Sequence, residues 1–191
     1  MLILVRHGRT AANAAGLLQG HLDHPLDDVG LAQAYAVAAA VGAVDHVYCS
    51  SLQRARQTAE AFGRGCTIDD RWIELDYGTY DGRRLTDVPA EAWARWRSDP
   101  DYVVAGGESM NELDVRVRAA CAEMFALAGS STVVVVSHVS PIKAAVAWAL
   151  NGDISMSWRF YLDQAAVCRI GSGPSGPVLR SFNEVLYPRP G

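Results

Sequence analysis

The sequence predicts an α/β fold, a three-layer α/β/α sandwich in which a mostly parallel central sheet lies between two layers of helices. Short apolar runs at residues 2–5, 44–48 and 132–136 have the composition of strands that are buried on both faces. Segments with helical periodicity or helix-capping residues separate these runs. Strands that alternate with helices favour a parallel sheet that is covered on both faces.

The first half of the chain supplies two strand–helix pairs. The strand at residues 2–5 is followed by a turn-rich stretch at residues 16–25. Asp27 or Asp28 can cap a helix whose apolar positions include residues 34, 37, 38 and 41. The strand at residues 44–48 runs into a helix at about residues 52–62. Each strand is therefore followed by a helix, as a parallel sheet requires.

The second half adds a long helix, a further strand and an edge. Ser109 and Glu112 have the S-x-x-E spacing of a capping box, and an apolar helical face follows. The strand at residues 132–136 precedes a helix at about residues 141–150, and strands near residues 159–162, 167–170 and 178–182 suggest an antiparallel edge. The irregular, aromatic stretch at residues 80–107 is predicted to be a lid over a site.

Bulk properties indicate a single domain, residues 1–191, of ordinary globular composition, with 50% apolar and 20% charged residues. A net charge of −4 argues against a nucleic-acid partner. The N-terminal apolar run is too short for a signal peptide and no later run has membrane-spanning length, so we expect a cytoplasmic protein without a membrane partner. Four scattered cysteines predict no zinc site and no dense disulfide framework, with Cys49 as a small buried residue in a reducing compartment.

Two histidines and two arginines stand at or just after predicted strand ends. Arg6 and His7 follow the first strand, His138 follows the third, and Arg54 lies in the first turn of the helix after the second. Ligands of α/β sheets bind outside the carboxyl ends of the strands, so these side chains are expected to converge. A neutral imidazole can attack phosphorus while arginines bind the phosphoryl oxygens. Each residue alone has an ordinary structural explanation; their convergence favours phosphoryl transfer.

A proton donor for the leaving oxygen is also needed. Glu74 is the best candidate, because a carboxyl between apolar neighbours can act first as an acid and then as a base toward water. Asp76 and Asp81 are nearby and stay open as alternatives.

Six sequence blocks, in order from residue 2 to about residue 150, resemble the signature of the histidine phosphatase superfamily, the phosphoglycerate mutase-like proteins. They are Arg6-His7-Gly8 with Thr10 and Asn13; Gly20, Asp23 and Leu26 with Gly30 and Ala34; Ser50 to Ala59, which contains Arg54; Glu74 with Gly78 and Gly82; Gly106-Gly107-Glu108-Ser109; and Val136-Ser137-His138 with Pro141-Ile142.

The resemblance implies roles for individual residues. His7 would be the phosphorylated nucleophile and Glu74 the proton donor, with no metal and no cofactor. Arg9 stands where Glu or Gln is common and adds a cation near the site, while Val139-Ser140 replaces a frequent Gly-Gly pair but should keep its backbone N–H available. The phosphate-pocket residues implied are Arg6, Asn13, Arg54 and His138, and the further substrate-binding residues expected are Arg9, Gly20 and Val139.

The predicted function is metal-independent hydrolysis of a small phosphorylated metabolite through a phosphohistidine intermediate. The chain lacks the insertion expected of a mutase, and it looks more like the acid phosphatase and α-ribazole phosphatase branch. Two alternatives are kept: a cofactor-dependent phosphoglycerate mutase, and a non-catalytic module that binds a phosphate ligand or a protein. The expected partner is a small-molecule phosphate ester; the natural substrate and a homodimer stay open.

Overall fold

The computed structural model describes residues 1–187, in which a six-stranded sheet carries helices on both faces. The strands are β1 (Leu2–Arg6), β2 (His46–Cys49), β3 (Cys66–Ile68), β4 (Val133–Ser137), β5 (Val167–Gly173) and β6 (Gly176–Glu184). The α-helices are α1 (Ala11–Ala14), α2 (Asp28–Val41), α3 (Gln53–Glu60), α4 (Ala90–Ser98), α5 (Met110–Leu127) and α6 (Val139–Ala149). Short 3₁₀ helices cover Asp70–Trp72, Gly78–Tyr80, Leu85–Asp87 and Ile154–Arg159.

The sheet order is β3-β2-β4-β1-β5-β6, with the first four strands parallel and the last two antiparallel. Arg6 at the end of β1 is in register with Ser137 at the end of β4. The carboxyl ends of β1, β2 and β4 therefore meet at one edge, where the sequence placed the site. The predicted mostly parallel α/β sheet is confirmed.

Alternate residues of the central strands build two separate cores, which is why the fold has three layers. Leu2 and Leu4 of β1 belong to a buried cluster with apolar residues of α5 and α6. Ile3 and Val5 belong to the opposite cluster, which contains Val37 of α2 and alanines of α3. A strand whose side chains are apolar on both faces needs a helical layer on each side.

Helix starts follow the predicted capping residues. The carboxylate of Asp27, rather than that of Asp28, accepts a hydrogen bond from the N–H of Gly30 at 2.8 Å at the start of α2. Ser109 and Glu112 form the predicted capping box at the start of α5. Both helices thus begin where a side-chain oxygen satisfies a backbone N–H that has no partner within the helix.

The predicted lid, residues 80–107, contains α4 and packs around one tryptophan. Trp96 is 2% exposed. Its ring lies between 5.2 and 5.9 Å from the rings of Tyr77, Tyr80, Trp93 and Tyr102. This aromatic cluster anchors the segment against the core, and movement of the segment as a lid stays a prediction.

The predicted strand near residues 159–162 is wrong. The 3₁₀ helix Ile154–Arg159 occupies the start of this stretch, and the side chain of Asp153 caps it by accepting from the N–H of Ser155. The carbonyl of Leu162 accepts a hydrogen bond from Nη1 of Arg6 at 2.7 Å. The segment crosses the carboxyl end of the sheet, where its backbone holds a side chain of the site rather than a neighbouring strand.

The cysteines differ from expectation in one pair. Cys49 is fully buried, as predicted, but it forms a disulfide with Cys66, 17 residues further along the chain. The two residues lie on the neighbouring strands β2 and β3, and this proximity is a property of the sheet rather than of the sequence spacing. Cys121 and Cys168 are free and buried.

The last four positions of the predicted domain, 188–191, lie outside the described residues. Within residues 1–187, no helix combines the length and the apolar composition needed to cross a membrane.

Candidate active site

His7 lies directly after β1 and is 3% exposed. Its Nδ1 is 2.7 Å from the carbonyl oxygen of Gly8. Because a carbonyl oxygen only accepts, Nδ1 carries the proton and Nε2 carries the lone pair. Burial, and then the charges of Arg54 and Arg6, lower the pKa of His7 well below its usual range. The ring is therefore a neutral imidazole, the form that can act as a nucleophile.

Two guanidinium groups lie close to this ring, that of the buried Arg54 and that of the half-buried Arg6. Arg6 donates to the carbonyl of Leu162, while Arg54 donates to the carbonyls of Leu22 at 2.9 Å and Gly20 at 2.7 Å. Among residues 1–187 neither arginine forms an ion pair, and the Nε of each is buried without a hydrogen-bond partner. The carboxylate of Glu74 acts on both cations from a distance but forms an ion pair with neither. Cations held out of water without direct ion pairs are costly, so the arrangement favours an anionic ligand.

His138 is the N-cap residue of α6 and is fully buried beside His7. The two ring centroids are 5.1 Å apart. Nε2 of His138 is 2.7 Å from the hydroxyl of Ser50, whereas Nδ1 has no partner in the described part of the chain. Burial, followed by the charges of Arg54 and His7, lowers the pKa of His138 well below its usual range.

The carboxyl group of Glu74 is fixed at the start of α6. Oε2 accepts a hydrogen bond from the N–H of Val139 at 3.0 Å, and Oε1 accepts from Leu75 at 2.8 Å and Ser140 at 3.1 Å. Glu74 is 4% exposed and borders the cavity described below. The N–H of Val139, which the sequence assigned to substrate, is thus held by Glu74 in this structure.

Asp76 and Asp81, the two alternative proton donors, accept hydrogen bonds from backbone N–H groups instead. Asp81 accepts from the N–H of Gly20 at 2.7 Å and of Leu22 at 2.8 Å. Asp76 accepts from the N–H of Gly78 at 2.8 Å. Neither aspartate lines the cavity, so placement favours Glu74 as the acid.

A cavity of about 250 Å³ opens at the carboxyl end of the sheet. Of the predicted residues, Arg6, His7, Asn13, Glu74 and Val139 line it. Arg54 and His138 do not line the cavity. Both are nevertheless close to His7: Arg54 lowers its pKa, and the ring of His138 lies against its ring. Much of the remaining wall is apolar or aromatic, namely Leu17, Leu18, Leu85, Trp93, Met110 and Trp158.

Three further residues lie in or beside the loops of the site. Gly20 contributes its carbonyl to Arg54 and its N–H to Asp81, and so belongs to the loop that holds Arg54. Arg9 pairs with Asp27 at 2.8 Å and does not line the cavity. Gln19, which was not predicted from the sequence, borders the cavity with a buried Nε2 that has no partner within residues 1–187. Its position directly before Gly20, where the second of the six sequence blocks begins, could have indicated that it lies at the site.

A model of the histidine phosphatase superfamily (branch 1) matches residues 2–185. The chain belongs to the histidine phosphatase superfamily. Phosphoserine phosphatase 1 of Hydrogenobacter thermophilus is 35% identical to this histidine phosphatase over 175 residues, 86% of this chain and 83% of the relative. The adenosylcobalamin/alpha-ribazole phosphatase of Salmonella typhimurium is 30% identical over 199 residues, 99% of this chain and 98% of the relative.

Solved structures agree with this assignment. A mutant phosphoserine phosphatase of Entamoeba histolytica, in complex with phosphoserine, superposes with a TM-score of 0.88 at 27% identity, and the match covers 96% of each chain.

Two further sequence relatives differ in name or in length. A probable phosphoglycerate mutase, GpmB of Salmonella newport, is 38% identical over 164 residues, 76% of each chain. The chain spans about half, 48%, of the length of some mycobacterial relatives. The phosphatase and phosphoglycerate mutase-like resemblance read from the sequence is confirmed.

Proposed function

We propose that this histidine phosphatase hydrolyses small phosphomonoesters through a phosphohistidine at His7, without a metal ion. The observation that carries the proposal is a buried, neutral His7 beside two guanidinium groups that have no carboxylate partner within residues 1–187. An ester phosphate supplies the missing negative charge and places phosphorus near Nε2. Activation of the nucleophile then needs no further base, because the proton is already on Nδ1.

In the first step, Nε2 of His7 forms a bond to phosphorus while the bond from phosphorus to the ester oxygen breaks. Protonated Glu74 gives its proton to the leaving oxygen, and the alcohol departs. In the second step, the carboxylate of Glu74 takes a proton from water as that water attacks phosphorus. The N–P bond breaks, inorganic phosphate leaves, and His7 returns to its neutral form.

Charge develops on the phosphoryl oxygens during both steps. We assign their binding to the free N–H groups of Arg6 and Arg54, to Nε2 of Gln19 and to His138. Backbone carbonyls hold the two arginines in place before substrate arrives, and the hydroxyls of Thr10 and Ser50 hold Gln19 and His138. Donors that are fixed in advance are effective in stabilising a transition state. Loss of one such donor typically lowers the rate about 10²–10³-fold.

The test is phosphate release from an aryl phosphate in the presence of a chelator. We expect steady turnover by the wild type and none by His7→Ala. His46→Ala is the matched control, because His46 is exposed at the opposite end of β2 and should leave the rate unchanged. Absence of turnover by the wild type on aryl and alkyl esters alike would contradict hydrolysis and leave a phosphate-binding module. Loss of activity on chelation would contradict the metal-independent step.

Phosphoglycerate mutase is the second candidate, because a relative with that name matches this chain. Incubation of 3-phosphoglycerate with a bisphosphate primer separates the two activities. The proposed hydrolase releases inorganic phosphate, whereas a mutase forms 2-phosphoglycerate with little phosphate release.

We also propose the cytoplasm as the location of the enzyme. The Cys49–Cys66 disulfide provides the test, since cytoplasmic thiols are normally kept reduced. In the cytoplasm this bond would be reduced, so fractionation should recover the protein with the cytoplasm, and both thiols should react with an alkylating agent once the protein is denatured; a disulfide-bonded protein outside that fraction would contradict the location.

A further inference from the structure

Lys143 is a charged residue of the cavity that the proposed mechanism does not use. It lies on α6, five positions after His138, and it is the only lysine in a chain with sixteen arginines. Its half-buried side chain lines the cavity, and it forms no hydrogen bond or ion pair with the residues that the structure describes. An ammonium group in such a position loses hydration without gaining a partner.

The surroundings of Lys143 do not explain its charge. Burial lowers the pKa of Lys143, the carboxylate of Glu74 opposes this effect, and Arg6 adds to it. Glu74 already accepts three backbone hydrogen bonds and is not within ion-pair distance. Folding gains little from an ammonium here, which points to a ligand.

The chemistry of the cavity defines that ligand. Arg6 and His7 occupy the end where phosphorus would lie, so Lys143 is the one other cation in the described lining. The rest of the lining is mostly apolar, with Leu85, Trp93 and Trp158 among its residues. A single ammonium matches the single charge of a carboxylate. A second phosphate group carries almost twice that charge and is commonly bound by several donors.

Lys143 and His7 line the same cavity of about 250 Å³. This space has room for a phosphoryl group together with a short carbon chain. A substrate whose phosphate lies at His7 can therefore place a second polar group against Lys143.

We infer that Lys143 binds a carboxylate on the leaving group, so that the preferred substrates are phosphate esters of small hydroxy acids. This inference rests on the proposed hydrolysis at His7. Lys143 acts as a specificity residue: it binds the part of the substrate that does not react, and its main effect is on KM.

The experiment compares two esters that differ at one group, 3-phosphoglycerate with a carboxylate and glycerol 3-phosphate with a hydroxymethyl. The wild type should favour 3-phosphoglycerate in kcat/KM by about 10–100-fold, the value of one charge-assisted hydrogen bond. Lys143→Met should abolish this preference, mostly through KM, and Lys143→Arg should restore part of it. Arg180→Met, which removes one charge from an exposed position on the edge strand β6, is the control and should keep the preference.

Three results would overturn the inference: no preference in the wild type, an equal loss on both esters in Lys143→Met, or a stronger preference for a bisphosphate ester. An equal loss would mean that Lys143 acts through Glu74, and a shifted pH profile on glycerol 3-phosphate would accompany it. Turnover of an aryl phosphate by the wild type separates the two proposals. Without it the hydrolysis itself fails; with it, only the role of Lys143 fails.

Discussion

Arg116 on α5 should control the position of Glu74 without touching the substrate. Its Nη1 donates to the carbonyls of Arg71 and Ile73, both at 2.8 Å, and its Nη2 donates to the carbonyl of Glu74 at 3.2 Å. Glu108 accepts from the same guanidinium through both carboxylate oxygens, at 2.6 and 2.8 Å. One side chain thus ties together the segment that carries the proposed acid.

The magnitude of its removal follows from these contacts. Arg116→Met keeps the length of the side chain but leaves the carboxylate of Glu108 and the carbonyls of Arg71 and Ile73 without their donor, while the carbonyl of Glu74 keeps only its contact with Nε2 of His21 at 2.9 Å. Removal of one partner of a buried ion pair costs about 3–5 kcal/mol, and we expect the lower end because both side chains are about one fifth exposed, 18% and 19%. A displacement of Glu74 by about 1 Å would lower kcat about 10²-fold.

The assay combines urea unfolding with kinetics on folded protein. Arg116→Met should lose about 3 kcal/mol of unfolding free energy. Its kcat should fall while KM changes little, and the fall should be larger for an alkyl ester than for an aryl ester, whose leaving oxygen needs less protonation. Arg118→Met is the matched control on the same helix: it breaks a pair with Asp114 and a bond to the carbonyl of Gly152, remote from Glu74. It should lose stability and keep kcat.

Two outcomes would refute the reasoning about Arg116. An unchanged kcat in folded Arg116→Met would show that the guanidinium does not position Glu74. Equal losses of kcat in Arg116→Met and Arg118→Met would show a general loss of structure rather than a displaced acid.

Three other predictions concern the nucleophile and the core. Because the pKa of His7 is lowered, its neutral form persists below pH 6.5, and kcat on an aryl phosphate, which does not depend on the ionisation of the free substrate, should show no fall centred near that pH; such a fall would contradict a depressed pKa. Gly30→Ala should cost about 3 kcal/mol of unfolding free energy, because an added Cβ would overlap the backbone of Arg9, whereas Gly65→Ala, with open space around it, should cost little; equal effects would contradict this close approach. Trp96→Ala should cost about 3–5 kcal/mol in urea unfolding, against a small change for the exposed Val115→Ala, and a loss below about 1 kcal/mol would contradict the packing of the lid segment.

Features fixed by neighbouring residues were predictable from the sequence. Apolar runs gave the central strands, and the oxygens of Asp27 and Ser109 gave the starts of α2 and α5. The parallel sheet then brought the strand ends at His7 and His138 together.

Features that depend on tertiary contact were not predictable. Glu108 was read as part of a motif, but its partner Arg116 lies eight residues along the chain on a helix surface, and nothing in the sequence marks that pair. The Cys49–Cys66 bond depends on the adjacency of β2 and β3. Residues 159–162 looked like a strand because their composition suits one, whereas their backbone is used by Arg6.

Trapping the covalent intermediate tests the central claim most directly. Wild-type enzyme and the His7→Ala and His46→Ala variants would be mixed with a fast-reacting aryl phosphate in chelator and quenched in alkali, and the modified peptide would be identified by mass spectrometry. We predict an acid-labile phosphoryl group on His7 in the wild type and in His46→Ala, formed at least as fast as steady turnover and absent from His7→Ala. Turnover without a phosphoenzyme, or a phosphoryl group on another residue, would contradict His7 as the nucleophile.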